Sequence, residues 1–168
     1  KVEVVRADGI REILEEGSVV FQGDIVETGT DGSIGIIFAD ESTFSLGNNG
    51  RMTLDEMIYD PGEQTGTMNV SLLQGAFSFV SGKIAKTDPN AMEVNTPTAT
   101  IGIRGTAAGG NIDVDGVTTT ALLPEASGFT GEMSISNGAG TQTINQTGQA
   151  VNIASSTSTP SAPFVMTP

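Results

Sequence analysis

The run MEVNTPTATIGIRGT, Met92–Thr106, decides how this chain is read. Met92 and Val94 alternate with polar neighbours, and Ile101 and Ile103 repeat the pattern after Thr96-Pro97. A period of two places each apolar pair on one face of a short strand; a helix needs apolar residues every three or four positions. The same alternation spreads outward in both directions. Before it come Val2/Val4, Ile34/Ile36/Phe38, Phe44/Leu46, Met52/Leu54, Met68/Val70/Leu72 and Phe77/Phe79. After it come Ile112/Val114, Met133/Ile135 and Val151/Ile153.

Turn chemistry separates these runs. Asp8-Gly9, Asp31-Gly32 and Asp115-Gly116 are tight-turn pairs, and Gly47–Gly50 and Asn137–Gly140 are looser ones. Many short strands at close spacing predict an all-β fold with little helix: a solenoid-like β-roll or β-helix first, a jelly-roll sandwich second. No strict repeat at fixed period is present, so any solenoid has rungs of unequal length. Ile10–Glu15 and Thr53–Ile58 can be read as a helical turn, and equally as strand plus loop. At 168 residues one domain is expected, over residues 1–153, followed by a tail over 154–168. The tail is rich in Ser, Thr and Pro but ends in the β-prone Phe164-Val165-Met166.

Composition removes whole classes of chemistry. There is no Cys, His or Trp, so thiolate, imidazole and cysteine–zinc mechanisms are excluded. A net charge of −13 repels phosphate backbones, which argues against a nucleic-acid partner. No apolar run is long enough to span a bilayer as a helix. The chain begins at Lys1 without a signal-peptide pattern, as expected of a processed protein or a piece of a longer one.

The remaining chemical candidates are few. Asn111, Asp113 and Asp115 place oxygen side chains at alternate positions before Gly116, as a calcium loop begins. The glutamate such a loop needs six residues later is replaced by Leu122, so a strand entering an Asp-Gly hairpin is the better reading, and no cofactor is expected. Acids at Asp55, Glu56, Asp60 and Glu63, and at Asp40-Glu41, read as loop acids on a solvated rim. Arg104 lies in an apolar strand and is expected to tie carbonyls or a carboxylate inside the roll.

Four elements together carry a resemblance. They are Gly23-Asp24-Ile25-Val26-Glu27-Thr28, Leu73-Gln74-Gly75-Ala76-Phe77, Val94-Asn95-Thr96-Pro97-Thr98-Ala99 and Ile101-Gly102-Ile103-Arg104-Gly105-Thr106. In this order they resemble the FecR domain family, and Gly148-Gln149-Ala150 looks like its closing turn. The resemblance implies a β-rich roll on the outer side of a bacterial cytoplasmic membrane. Arg104, Gly105, Thr106, Gly23 and Asp24 would then be structural.

Three functions are open, none of them enzymatic. The first is an extracytoplasmic interaction module whose tail, through Phe164, Val165 and Met166, adds a strand to a protein partner or to another copy, building a filament. The second is the signal-sensing domain of a FecR-type sigma regulator. The third is a surface module binding glycan or calcium.

Overall fold

The computed structural model describes residues 1–87, 91–124 and 131–165. Its strands form two ladders, and the chain visits them alternately, for the most part in pairs. β1 (Val2–Val5), β2 (Arg11–Ile13) and β3 (Ile25–Thr28) start the first ladder. β4 (Ile34–Ile37) and β5 (Thr43–Leu46) make a hairpin in the second. β6 (Arg51–Asp60) returns to the first, and β7 (Thr65–Val80) belongs to both. After α1 (Lys83–Thr87), β8 (Met92–Asn95) and β9 (Thr100–Arg104) rejoin the first ladder. β10 (Ala107–Ile112) and β11 (Thr118–Leu123) go to the second, β12 (Glu132–Asn137) and β13 (Gly140–Ile144) to the first. β14 (Gln149–Ile153) and β15 (Phe164–Val165) close the second.

The all-β expectation therefore holds, with one five-residue helix among the described residues. Pairing is antiparallel except where β7 meets β8, and the sheet is open. Both stretches that could have been helical contain strand instead, β2 and β6. Local propensity was undecided there, and cross-strand pairing with β1, β3 and β7 settles it.

β7 joins the two ladders. Its first part pairs with β6 and β8, and from Gly75 onward it pairs with β5 and β10. Met68, Val70 and Leu72 are buried at even positions, Phe77 and Phe79 at odd ones. A strand that slips by one residue would turn its apolar side chains to solvent. Gly75 absorbs the slip: its φ of +108° is unfavourable for any residue with a Cβ, and a Cβ there would meet Gly50 Cα at 2.8 Å.

The side chains that alternate in sequence point into one shared core. Phe44, Leu46, Met68, Leu72, Ile101, Ile103, Met133 and Ile153 are each at most 2% exposed. Each such residue contributes about 1.5–3 kcal/mol of burial free energy before chain entropy is counted. Phe44 stacks on Phe79 with ring centroids 5.5 Å apart, binding the β5 side of the core to β7. Val114 departs from the pattern at 80% exposed, because it follows the last paired residue of β10 and enters the hairpin turn.

Candidate functional site

β4 is an end of the second ladder. Among the described residues it pairs with β5 alone, and its other edge faces a cleft of about 520 Å³ whose far wall is the loop 14–20. The Phe38 amide donates to the Ser42 carbonyl, which makes 38/42 a hydrogen-bonded pair. Antiparallel ladders alternate bonded and non-bonded pairs, so Ile36/Phe44 and Ile34/Leu46 are bonded. Gly35 and Ile37 are non-bonded positions, and their N–H and C=O groups point into the cleft.

The far wall is held in place by local hydrogen bonds. The Leu14 amide donates to the Val2 carbonyl at 2.9 Å, which anchors the loop to β1. A turn over 15–18 follows, in which the Ser18 amide donates to Glu15 C=O and Ser18 Oγ accepts from the Glu15 amide. Val20 packs against the core, while Val19 stays 58% exposed, as does Ile37 at 80% on the facing edge. Glu15 and Glu16 line the cleft without an ion pair among the described residues, and no Lys or Arg lines it.

Behind this wall lies the Gly23-Asp24 element. Asp24 is 2% exposed and accepts from Arg6 Nη1 at 2.6 Å and from the Phe21 amide at 2.8 Å. Arg6 also donates through Nε to Glu12 at 2.8 Å and through Nη1 to the Val19 carbonyl, and its guanidinium lies 5.5 Å from the Phe21 ring centroid. Bonding to Glu12 and then Asp24 raises the Arg6 pKa above its ordinary value, so this cation is permanent. The Gly23 amide donates to the Leu54 carbonyl, and the Leu54 amide donates to the Asp24 carbonyl, stitching the loop to β6. One arginine thus joins β1, β2 and the loop that forms the cleft wall.

The Arg104-Gly105-Thr106 element marks a change of ladder. β9 ends at Arg104, β10 begins at Ala107, and Gly105 takes φ +55° between them. Thr106, 1% exposed, receives a hydrogen bond at its carbonyl from the Ser81 amide, and its own amide donates to Ser81 Oγ at 2.6 Å. Arg104 corrects the expectation of a guanidinium inside the roll. Its side chain is exposed and makes no ion pair with the described residues. The strand alternation explains this: Ile101 and Ile103 face inward, so Arg104 faces out. The neighbouring Thr96-Pro97-Thr98-Ala99 is a turn in which Thr96 Oγ1 accepts from the Thr98 and Ala99 amides. Thr98 Oγ1 donates to Thr118 Oγ1 at 2.8 Å, fixing that turn to β11.

Asp40 also corrects an expectation. It is not on a solvated rim but fully buried, accepting from Ser42 N, Ser42 Oγ and the Ile84 amide at the start of α1. Nothing in its spacing announced this, because the group it caps lies 44 residues away. The other rim acids stay outside. Asp55 accepts from Ser71 and Glu56 from Thr67, both across the β6–β7 pair.

Asn111, Asp113 and Asp115 are exposed at the β10–β11 hairpin. Asp113 Oδ1 accepts from the Asp115 and Val117 amides at 2.9 and 3.0 Å, which closes the turn. Among the described residues no three acids converge as a metal site. In the tail, Phe164 and Val165 pair with Ala150 and Gln149 of the same chain, and Met166 lies outside the described residues. Asn137 Nδ2 donates to the Ser155 and Ser158 carbonyls, and the Ser161 amide to the Asn152 carbonyl, which fastens the tail to β12 and β14.

Buried carboxylates that close turns and loops, together with an open strand edge, characterise this all-β domain. A family model described as FecR protein matches residues 24–126, from the Gly23-Asp24 turn to just past β11. The chain belongs to the FecR protein family. Crystal structures at 1.65 and 2.50 Å of a Parabacteroides distasonis ATCC 8503 protein, described as a "putative anti-sigma factor", share its fold. Each aligns with TM-score 0.57 and 10% identity over 76% of this chain and 53% of that one. The chain thus spans about half the length of those structures. The sequence matches no curated protein. No helix among the described residues is long and apolar enough to cross a membrane.

Proposed function

We propose that this chain is the extracytoplasmic signal-sensing domain of a FecR-type regulator and that it acts without catalysis, by binding protein. The observation that carries the reading is the family match over residues 24–126, which includes the loop bearing Asp24 and the ladder change at Gly105. The fold shared with the bacterial protein described as an anti-sigma factor supports it. We read the architecture as an open roll, in which visits to alternate ladders build a continuous wall and Gly23, Asp24, Gly105 and Thr106 hold its bends. Arg104, exposed at the end of β9, serves no such bend. Self-assembly through the tail draws less support, since Phe164 and Val165 are already paired with their own β14.

The test is in-frame removal of the segment encoding residues 1–165 from the native gene, followed by sequencing of transcripts. A sensing domain predicts altered expression of a set of genes under one extracytoplasmic sigma factor. An unchanged transcript profile under all inducing conditions would overturn the reading. Sedimentation of the purified chain separates the filament alternative, which predicts polymers.

A further inference from the structure

Among the described residues the open edge of β4 differs from the terminal strands β2, β13 and β15. β2 carries Arg11 and Glu12, β13 is Gly-Thr-Gln-Thr-Ile, and β15 is only two residues long. Charges, polar residues and shortness are the usual ways a protein blunts a sheet edge against pairing. The four-residue run Ile34-Gly35-Ile36-Ile37 carries neither a charge nor a polar side chain. It shows Ile37 to solvent and turns two residues' worth of backbone donors and acceptors toward a cleft.

We infer that the β4 edge receives an extended, basic segment of a protein partner by strand addition, with Gly35 and Ile37 supplying the main-chain hydrogen bonds. This inference rests on the sensing-domain reading and names its contact. Strand addition draws affinity from backbone hydrogen bonds and specificity from alternate side-chain contacts. The four residues of β4 offer roughly 13 Å of edge at about 3.3 Å per residue. Ile37 and Val19 provide apolar contacts on opposite walls of the cleft. Charge selects the occupant: among the described residues, Glu15 and Glu16 line the cleft with no cation beside them, in a chain of net charge −13. A second copy of this acidic chain would be repelled, whereas a segment alternating apolar residues with Lys or Arg fits both features.

The experiment uses the full chain and a fluorescein-labelled octapeptide alternating Val and Lys, read by anisotropy. A Val/Glu octapeptide of the same length is the charge control. The decisive variant is Gly35→Pro. It removes a donor that faces the cleft and no ladder bond, and a Cβ at 35 meets no atom within 4 Å, so the pairing of β4 with β5 is expected to survive. Binding of the Val/Lys peptide is expected to fall at least ten-fold in Gly35→Pro. In the double variant Glu15→Gln/Glu16→Gln it is expected to weaken by about two- to thirty-fold, the range two exposed ion pairs supply. The Val/Glu peptide should not bind. Hydrogen exchange of the intact complex should slow at Gly35 and Ile37. Equal affinity for native and Gly35→Pro chains, absence of Val/Lys binding, or protection confined to another edge would each overturn the inference. Exchange of the free variant at Phe44 and Phe79 shows separately whether the core is intact. Placed in the native gene, Gly35→Pro distinguishes the two proposals: if it leaves the transcripts unchanged while removal of the domain alters them, the sensing reading stands and the β4 site falls.

Discussion

β4 and β15 lie at opposite ends of the same ladder, and the chain treats them differently. β14 would be an exposed edge, but the tail returns to it and two residues of β15 cover it. The two amide hydrogens of Asn137 are shared among carbonyls of Thr98, Ser155 and Ser158, so the covering segment is held at its root. Among the described residues β4 has neither a covering strand nor a charge, and a loop anchored by Arg6 and Asp24 stands off from it across a cleft. Unprotected edges invite pairing, and natural proteins suppress them where no partner is wanted. The two ends of one ladder thus differ in cover, and β4 is the end open to the proposed partner strand.

The largest effect should come from removing the support beneath β4. Phe44 is 1% exposed, pairs with Ile36 and stacks on Phe79. Phe44→Ala is expected to cost about 3–5 kcal/mol, read from the urea midpoint. Hydrogen exchange should rise more in β4 than in β14, and an equal rise would erase the distinction between the two ends.

Next in size is the root of the tail. Asn137→Ala leaves carbonyls of Thr98, Ser155 and Ser158 without their donor and should cost about 1–3 kcal/mol. Limited proteolysis should then cut within residues 154–165 before any other site. A tail that stays resistant would show that its β15 pairing, not Asn137, holds it.

A charge placed on the bare edge sharpens the comparison. Ile37 is 80% exposed, so Ile37→Lys should change stability by no more than about 0.5 kcal/mol. It should weaken binding of the Val/Lys peptide, because a lysine blocks edge pairing and repels a basic segment. Unchanged affinity would mean that the edge at Ile37 does not take part in the contact.

The smallest effect is electrostatic. Lys1 Nζ lies 2.7 Å from Glu3 and, by that hydrogen bond first, holds the Glu3 carboxyl below its ordinary 4.5. A depressed carboxylate stabilises the fold fully above its unfolded value, and the contribution is lost as pH falls through the folded value. The pair is solvent-screened, so a small drop in urea midpoint is expected between pH 5 and pH 3, on the order of what exposed pairs give. Glu3→Gln should flatten that part of the profile, and an unchanged slope would remove the pair from the account.

Much of the wall was legible residue by residue. Met52/Leu54, Ile101/Ile103 and Met133/Ile135 are buried as their alternation requires. Even the kink in β7 is written in sequence, as the change from even Met68, Val70 and Leu72 to odd Phe77 and Phe79 around Gly75. The candidate site was not legible. The tail was the expected place of contact, yet its apolar end is engaged with β14, and β4 reads locally like any other strand. An edge is a statement about neighbours, and period-two alternation is the same in a central strand and a terminal one. Asp40 escaped for the same reason: a carboxylate 44 residues from the amide it caps is placed by tertiary packing. Arg104 did not, because its parity with Ile101 and Ile103 already turns it outward.

What the sequence by itself determined is the all-β class, the inward set of apolar side chains, the turns and the absence of imidazole and thiol chemistry. Those depend on interactions a few residues long or on residues not being there at all. What only the tertiary structure decided is which strands end the sheet, which edge the tail covers, and which carboxylates are buried. Those depend on hydrogen bonds between segments distant in the chain, such as Arg6 to Asp24 and Asn137 to Ser158, whose partners become neighbours only when the two ladders close over one core.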